Sequence, residues 1–268
     1  MSWWQETYEH LRVRREDDGV AVLVLDLPER RNMMSEAMTA SWRRAVAGVA
    51  RDPDVRCVVV SGAGSAFSSG GDLSWIGAEP GASVERLRAR MDAFYRDWLS
   101  IADLEVPTVA AVSGAAVGAG LALALACDLR FVAEDARLSV PFTRLGLHPG
   151  MLTTWSLPRV AGVAVARDLL LTGRAVDGAE AVRLGIASRA LPAGEVLAVA
   201  LETARGIAAN APVATRLTKL ALAGEGHADR DAAIRWEALA QAVTLTTEDV
   251  QEGLAAQRDR RPPRFTGG

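Results

Sequence analysis

Residues 108–127 read TVAAVSGAAVGAGLALALAC, twenty positions without a charge. Length alone fits a membrane helix, and Gly114 and Gly118 supply a small-xxx-small spacing. The composition argues otherwise. The stretch is mostly Ala and Gly, with little Leu, Ile or Phe, and Asp103, Glu105, Asp128 and Arg130 bracket it closely. Thr108, Val109 and Val112 suit a buried strand. Gly114, Gly118 and Gly120 suit a tight, small-residue turn, and the Leu/Ala run after them a buried helix. Strand, glycine-rich turn and helix in succession predict an α/β fold.

The same order appears on either side. Residues 10–16 and 20–26 read as two strands about a turn at 17–19. Ser35 suits the N-cap of a helix reaching about Arg51, with Met38, Trp42, Ala45, Val46 and Val49 at helical spacing. VRCVVVS at 55–61 is a short apolar run, as expected of a strand covered on both faces. Residues 62–81 form a long Gly/Ser-rich loop, the kind that usually carries function. Residues 83–102 read as an amphipathic helix with Leu87, Met91, Phe94, Trp98 and Ile101 on one side. Beyond the opening stretch come a strand at 128–133, an apolar segment at 138–141, and helices at 163–171, 177–184, 194–209, 212–223 and 230–245. The tail DRRPPRFTGG at 259–268 reads as mobile. The division expected is an α/β core over residues 1–200 and a helical C-terminal region over 201–268.

Composition narrows the function. The chain has 268 residues, half of them hydrophobic and 24% charged, so it has ample material for a core. A formal net charge of −3 argues against nucleic acid held by bulk positive charge. Cys57 and Cys127 lie in apolar runs with no CxxC spacing, which disfavours a disulfide framework or a zinc site. His10, His148 and His227 are too scattered for a ligand set, so no metal is expected. The N-terminus, MSWWQETYEHLRVRRE, lacks the basic-then-apolar order of a secretory signal, so cytoplasmic residence is the expectation. Lys219 is the only lysine; arginine carries the rest of the positive charge. Arginine suits phosphate or carboxylate.

Two glycine-rich elements could hold a carbonyl oxygen: SGAGSAFSSGGD at 61–72 and SGAAVGAG at 113–120. Each follows a strand, and the second opens a helix whose free N–H groups and dipole favour negative charge. Two such turns brought together would make an oxyanion hole. Plain tight turns are the alternative. Neither element has the lysine of a phosphate-binding P-loop, the spacing of a dinucleotide fingerprint, or the GxSxG of a nucleophile elbow.

Six stretches in order then carry a specific resemblance: LPERRN at 27–32, VVVSGAGSAFSSGGDL at 58–73, VPTVAAVSGAAVGAGLALALACDLRF at 106–131, LGLHPG at 145–150, LPRVAG at 157–162 and LTGRAVDGAEAVRLGIA at 171–187. Together they resemble the enoyl-CoA hydratase/isomerase, or crotonase, family. The resemblance implies a spiral of ββα turns, a helical C-terminal region used in assembly as a homotrimer or hexamer, and an acyl-CoA thioester substrate, with coenzyme A as part of that substrate and no separate cofactor. It implies main-chain N–H groups of Ser68 and Ala119 as the oxyanion donors, with Gly118 and Gly120 flanking the latter. It lays Ser68, Ser69, Gly70, Gly71 and Asp72 along the CoA moiety and makes Arg30 or Arg31 a candidate for a CoA phosphate.

The sequence departs from the family where protons move. The two hydratase glutamates align with Ala122 and Phe142, the isomerase glutamate with Phe142, and the dienoyl-isomerase aspartate with Gly150. Ordinary hydration is therefore in doubt, and a non-catalytic acyl-CoA or acyl-chain binder is the alternative. His148 is the substitute acid–base candidate, because its intrinsic pKa suits proton transfer near neutrality. Thr143, Thr153 and Thr154 could position water. Asp72 could cap a following helix, Glu79 and Asp92 could reach an acyl pocket, and Trp75, Met91 and Trp98 read as core.

Overall fold

The computed structural model describes residues 2–72, 81–224 and 229–268; Trp75, Glu79, His227 and any helix directly after Asp72 lie outside them. An antiparallel hairpin, β1 (Leu11–Arg15) and β2 (Val20–Leu25), starts the chain. Helix α1 (Glu36–Arg51) follows, with the Ser35 hydroxyl accepting from the Met38 N–H at 3.2 Å. It leads to β3 (Cys57–Gly62), which pairs with β2 in parallel.

The spiral begins there. β4 (Ala66–Ser68) leaves the first sheet and starts a second, and helix α2 (Val84–Leu99) carries the chain back. The pattern repeats with β5 (Thr108–Val112) in the first sheet, β6 (Ala115–Val117) in the second, and helix α3 (Ala119–Ala126). It repeats again with β7 (Leu129–Ala133) and β8 (Leu138–Ser139). Helix α4 (Thr153–Thr172), β9 (Ala175–Val176), helix α5 (Gly178–Arg183) and β10 (Arg189–Leu191) complete the core. The first sheet runs β1-β2-β3-β5-β7-β10 and is parallel apart from the opening hairpin. The second runs β4-β6-β8-β9.

Residues 108–127 thus divide into β5, β6 and α3. All five residues of β5 are buried, and α3 is apolar all round and buried from Ala119 to Leu125, as a core helix must be. Among the described residues no helix is long and apolar enough to cross a membrane. The turn expected between a strand at 108–113 and a helix at 118–127 contains a strand, because Ala115–Val117 pairs with both β4 and β8.

Helices cover the sheets through short, regular stripes. In α6 (Val196–Ala208), Val196, Ala200, Ala204 and Ala208 recur every four residues and are all buried. This helix packs across β2, β3, β5 and β7. It is followed by α7 (Pro212–Ala223), α8 (Arg230–Leu245) and α9 (Glu248–Asp259). On α1 and α2, Trp42 and Trp98 stack at 5.0 Å between ring centroids, and the Trp98 indole N–H donates to the Thr39 hydroxyl at 2.9 Å.

Three expectations are corrected. A helical segment ahead of the one expected at 163–171 was not foreseen; α4 is two segments parted at Gly162, whose φ of 82° and ψ of 158° are not helical, and the second begins where it was expected. Helix α9 has no counterpart in the sequence reading. The tail is tied down by it: Thr266 and Gly267 N–H groups donate to the buried Asp249 carboxylate at 2.7 and 3.0 Å, and Arg56 donates to the Phe265 carbonyl at 3.1 Å. Arg261 also forks onto Glu252, holding that carboxyl down at about 2.

Asn32 fixes the loop that enters β4. Its backbone is left-handed, φ 52°, which asparagine tolerates better than most residues. Fully buried, it accepts from the Leu27 N–H at 2.8 Å and donates to the Ala63 and Ala66 carbonyls at 2.8 and 2.7 Å. Asn32→Ala strands all three groups, each costing about 1–3 kcal/mol when buried and unpaired. We expect a stability loss of about 2–5 kcal/mol in urea unfolding, one of the larger single-site effects in the chain.

Candidate active site

The two glycine-rich elements meet. α3 begins after Gly118, whose φ of 56° and ψ of −117° suit glycine and little else. The Gly118 N–H donates to the Ser139 carbonyl at 2.8 Å, and its carbonyl accepts the first helical bond from Ala122 at 3.1 Å. The N–H groups of Ala119, Gly120 and Leu121 therefore have no intrahelical acceptor and form the positive end of the helix.

The end of β4 lies directly against this turn. A Cβ built at Gly120 would come 2.4 Å from the Ser68 carbonyl oxygen. One built at Gly70, φ 92°, would come 2.6 Å from the Val117 carbonyl and 3.2 Å from the Ala119 nitrogen. Residues 68–70 and 117–120 thus interlock main chain to main chain, an approach that side chains would prevent. The buried Ser68 hydroxyl is already engaged. It donates to the Asn32 carbonyl at 2.8 Å and accepts from the Gly70 N–H at 3.1 Å, so it is a brace and not a free nucleophile.

Arg30, Ser69, Gly71 and Asp72 sit at the mouth of the same element. The Ser69 N–H donates to the Arg31 carbonyl at 2.9 Å, and Gly71 bridges to Met34. The largely exposed Arg30 guanidinium stands 3.9 Å from the Asp72 carboxylate.

Positions 122 and 142 hold no carboxylate. Ala122 is buried in the first turn of α3. Phe142 opens a short 3-10 turn, and its ring tip is 3.8 Å from where a Gly118 Cβ would stand. His148 is exposed to solvent. Asp92 is exposed and paired with Arg96 at 2.9 Å, so it points away from the interior. Thr153 is buried and donates to the Gly150 carbonyl at 2.8 Å, Thr143 bonds the end of α4, and Thr154 is exposed. Trp98 is core, as expected, and Met91 half-buried. Both cysteines are free and buried, and burial pushes each thiol up to about 12, which leaves no thiolate for nucleophilic work.

The sequence reading missed Tyr95. It lies half-buried on α2, and its hydroxyl packs onto Gly150: a Cβ there would be 2.3 Å away. The signal was its place four residues after Met91 and beside Phe94, on the edge of the apolar stripe, in a chain with two tyrosines.

A family model described as enoyl-CoA hydratase/isomerase matches residues 15–268. The chain belongs to the enoyl-CoA hydratase/isomerase family. Members of this family are hydratases and isomerases that bind acyl-CoA thioesters. A Thermus thermophilus protein named among the enoyl-CoA hydratases is 41% identical over 256 residues, 94% of this chain and 100% of that one. Rat mitochondrial methylglutaconyl-CoA hydratase is 34% identical over 98% of this chain and 85% of its own. The crystal structure of enoyl-CoA hydratase from Bacillus anthracis superposes with a TM-score of 0.91 at 31% identity, covering 97% of this chain and 100% of that one. The crotonase-like ββα spiral that the resemblance implied is the fold of this chain.

The interlock makes a prediction about glycine. Gly120→Ala forces a methyl into the Ser68 main chain and should cost about 1–3 kcal/mol or more. Gly206→Ala, in an exposed turn of α6 with nothing within 4 Å, should instead gain about 0.5–1 kcal/mol. Paired thermal melts check the contrast.

Proposed function

We propose that this junction is an oxyanion hole for an acyl-CoA thioester, with the main-chain N–H groups of Ser68 and Ala119 as its two donors. The observation that carries the reading is the contact of Ser68 and Gly70 with the unsatisfied first turn of α3. Donors aimed at charge that develops during reaction are worth about 3–4 kcal/mol each, enough to favour an enolate next to the thioester. Ser69, Gly70, Gly71 and Asp72 would follow the CoA moiety, with Arg30 able to swing from Asp72 to a phosphate. Gly118, Ala122, Phe142 and Gly150 would border the acyl end. Coenzyme A enters as part of the substrate, in the cytoplasm.

The reaction is proton transfer at the carbon α to the thioester, within the family's lyase and isomerase chemistry. Water addition lacks both of its usual carboxylates. Each missing general acid or base costs about 10²–10⁴-fold. A binder without turnover is the second reading, favoured by the pairing of Ala122 with Phe142. Incubation with a panel of acyl-CoA thioesters in D₂O distinguishes the two. We expect deuterium at the α carbon of at least one thioester, together with weak hydration of enoyl-CoA. CoA-ester binding by calorimetry with no exchange anywhere would establish the binder.

The C-terminal region, 201–268, is assigned to self-assembly as a homotrimer or hexamer. It presents Leu222, Ile234, Leu239, Leu245 and Leu254, all more than half exposed except Ile234 at 50%. Patches of this kind mark interfaces. Sedimentation should give a trimer or its double; a monomer at micromolar concentration contradicts the assignment.

A further inference from the structure

The turn that opens α4 is strained, and a tyrosine is bound to it. Met151 and Leu152 both have left-handed backbones, φ 54° and 58°, which non-glycine residues adopt rarely and at a cost of about 1–3 kcal/mol each. The turn is closed by Thr153, whose N–H and hydroxyl both donate to the Gly150 carbonyl at 3.1 and 2.8 Å. The turn sets the Gly150 main chain directly against the Tyr95 hydroxyl. Gly150 must lack a side chain, because a Cβ would meet the Tyr95 hydroxyl at 2.3 Å and Cζ at 3.0 Å. Glycine, strained turn and phenol are fitted to one another.

Their position matters. Tyr95 is on α2 and the turn opens α4, and both helices pack against α3, whose first turn carries the Ala119 N–H. Phe94, its neighbour on α2, lies 4.0 Å from where a Gly71 Cβ would stand. Several other titratable groups on these elements have partners of their own or lie in solvent. Asp92 pairs outward with Arg96, Arg88 pairs with Glu85, Arg159 lies over the Trp155 ring at 3.7 Å, His148 is exposed, and α3 has none. Burial raises the Tyr95 pKa, and the Met151 N–H draws it back. The neutral phenol therefore prevails near pH 7, as a proton donor requires.

On the strength of the oxyanion reading above, we propose that Tyr95 is the proton donor to the α carbon of the enolate. The phenolic O–H bond breaks as the Cα–H bond forms, the enolate's electron pair becomes that bond, and the thioester carbonyl is restored. The charge passes to the phenolate, which the Met151 N–H stabilises until water reprotonates it. In reverse, the phenolate removes the α proton.

The test uses the full chain with butyryl-CoA and a branched saturated acyl-CoA in D₂O, following α-exchange against pH and binding by calorimetry. The base form is the phenolate, so wild-type exchange should rise roughly tenfold per pH unit through the neutral range. Tyr95→Phe, which keeps the ring, should bind equally well and lose about 100-fold or more in exchange. Gly150→Ala, whose Cβ would meet the Tyr95 hydroxyl, should displace it and lose exchange too. Undiminished exchange in Tyr95→Phe overturns the proposal and leaves the oxyanion reading standing. So does a wild-type exchange rate that fails to rise with pH through the neutral range. Loss of binding in step with exchange makes Tyr95 a packing residue and likewise overturns it. No exchange by wild type with any thioester removes the enolate reading itself, and the proposal with it.

Discussion

Two pieces of main chain, the end of β4 at Ser68 and the first turn of α3 at Ala119 and Gly120, come closer than side chains would permit. Everything at the site depends on that approach. Glycine at 70 and 120 allows it, and glycine at 118 supplies the positive φ that starts the helix where its free N–H groups meet β4. Strand pairing of β4 with β6 holds the two elements in register, so the geometry is set by the sheet and not by a mobile loop. The Asn32 side chain then clamps the approach to β4 from outside, and the Asn32 carbonyl receives the Ser68 hydroxyl. Donors built from backbone in this way need no particular side chain, so the proposed role of Ala119 does not depend on its methyl group.

The surrounding side chains follow a different logic. The positions that would hold carboxylates carry Ala122 and Phe142, one buried in α3 and the other leaning over Gly118. Both positions are therefore apolar. In such a site a neutral phenol is easier to accommodate than an ionised carboxylate, since burial penalises the charged form. On the proposed reading, the oxyanion element and the proton carrier are separable parts, the first retained and the second changed.

Much of this was legible in the sequence. The Ser35 cap, the α1 stripe, the apolar run of β3 and the glycine spacing at 113–120 are local signals, and each gave its element nearly to the residue. What failed was non-local. β6 is three residues long and exists because β4 and β8 flank it; nothing within AAV predicts that. The first half of α4 was hidden by Pro158 and Gly162. Helix α9 has few apolar residues and is held in place through Asp249 and Glu252, which bind the tail. Tyr95 looked like one more half-apolar helical residue, because its partners, Gly150 and Met151, are more than fifty positions away. His148 drew attention for its intrinsic pKa, which says nothing about which way it faces.

A crystal structure of the protein with a bound acyl-CoA tests the central claim most directly. The account requires the thioester oxygen to lie about 2.7–3.1 Å from both the Ser68 and the Ala119 main-chain nitrogens. A thioester seated elsewhere, or an oxygen that meets neither amide, would contradict it.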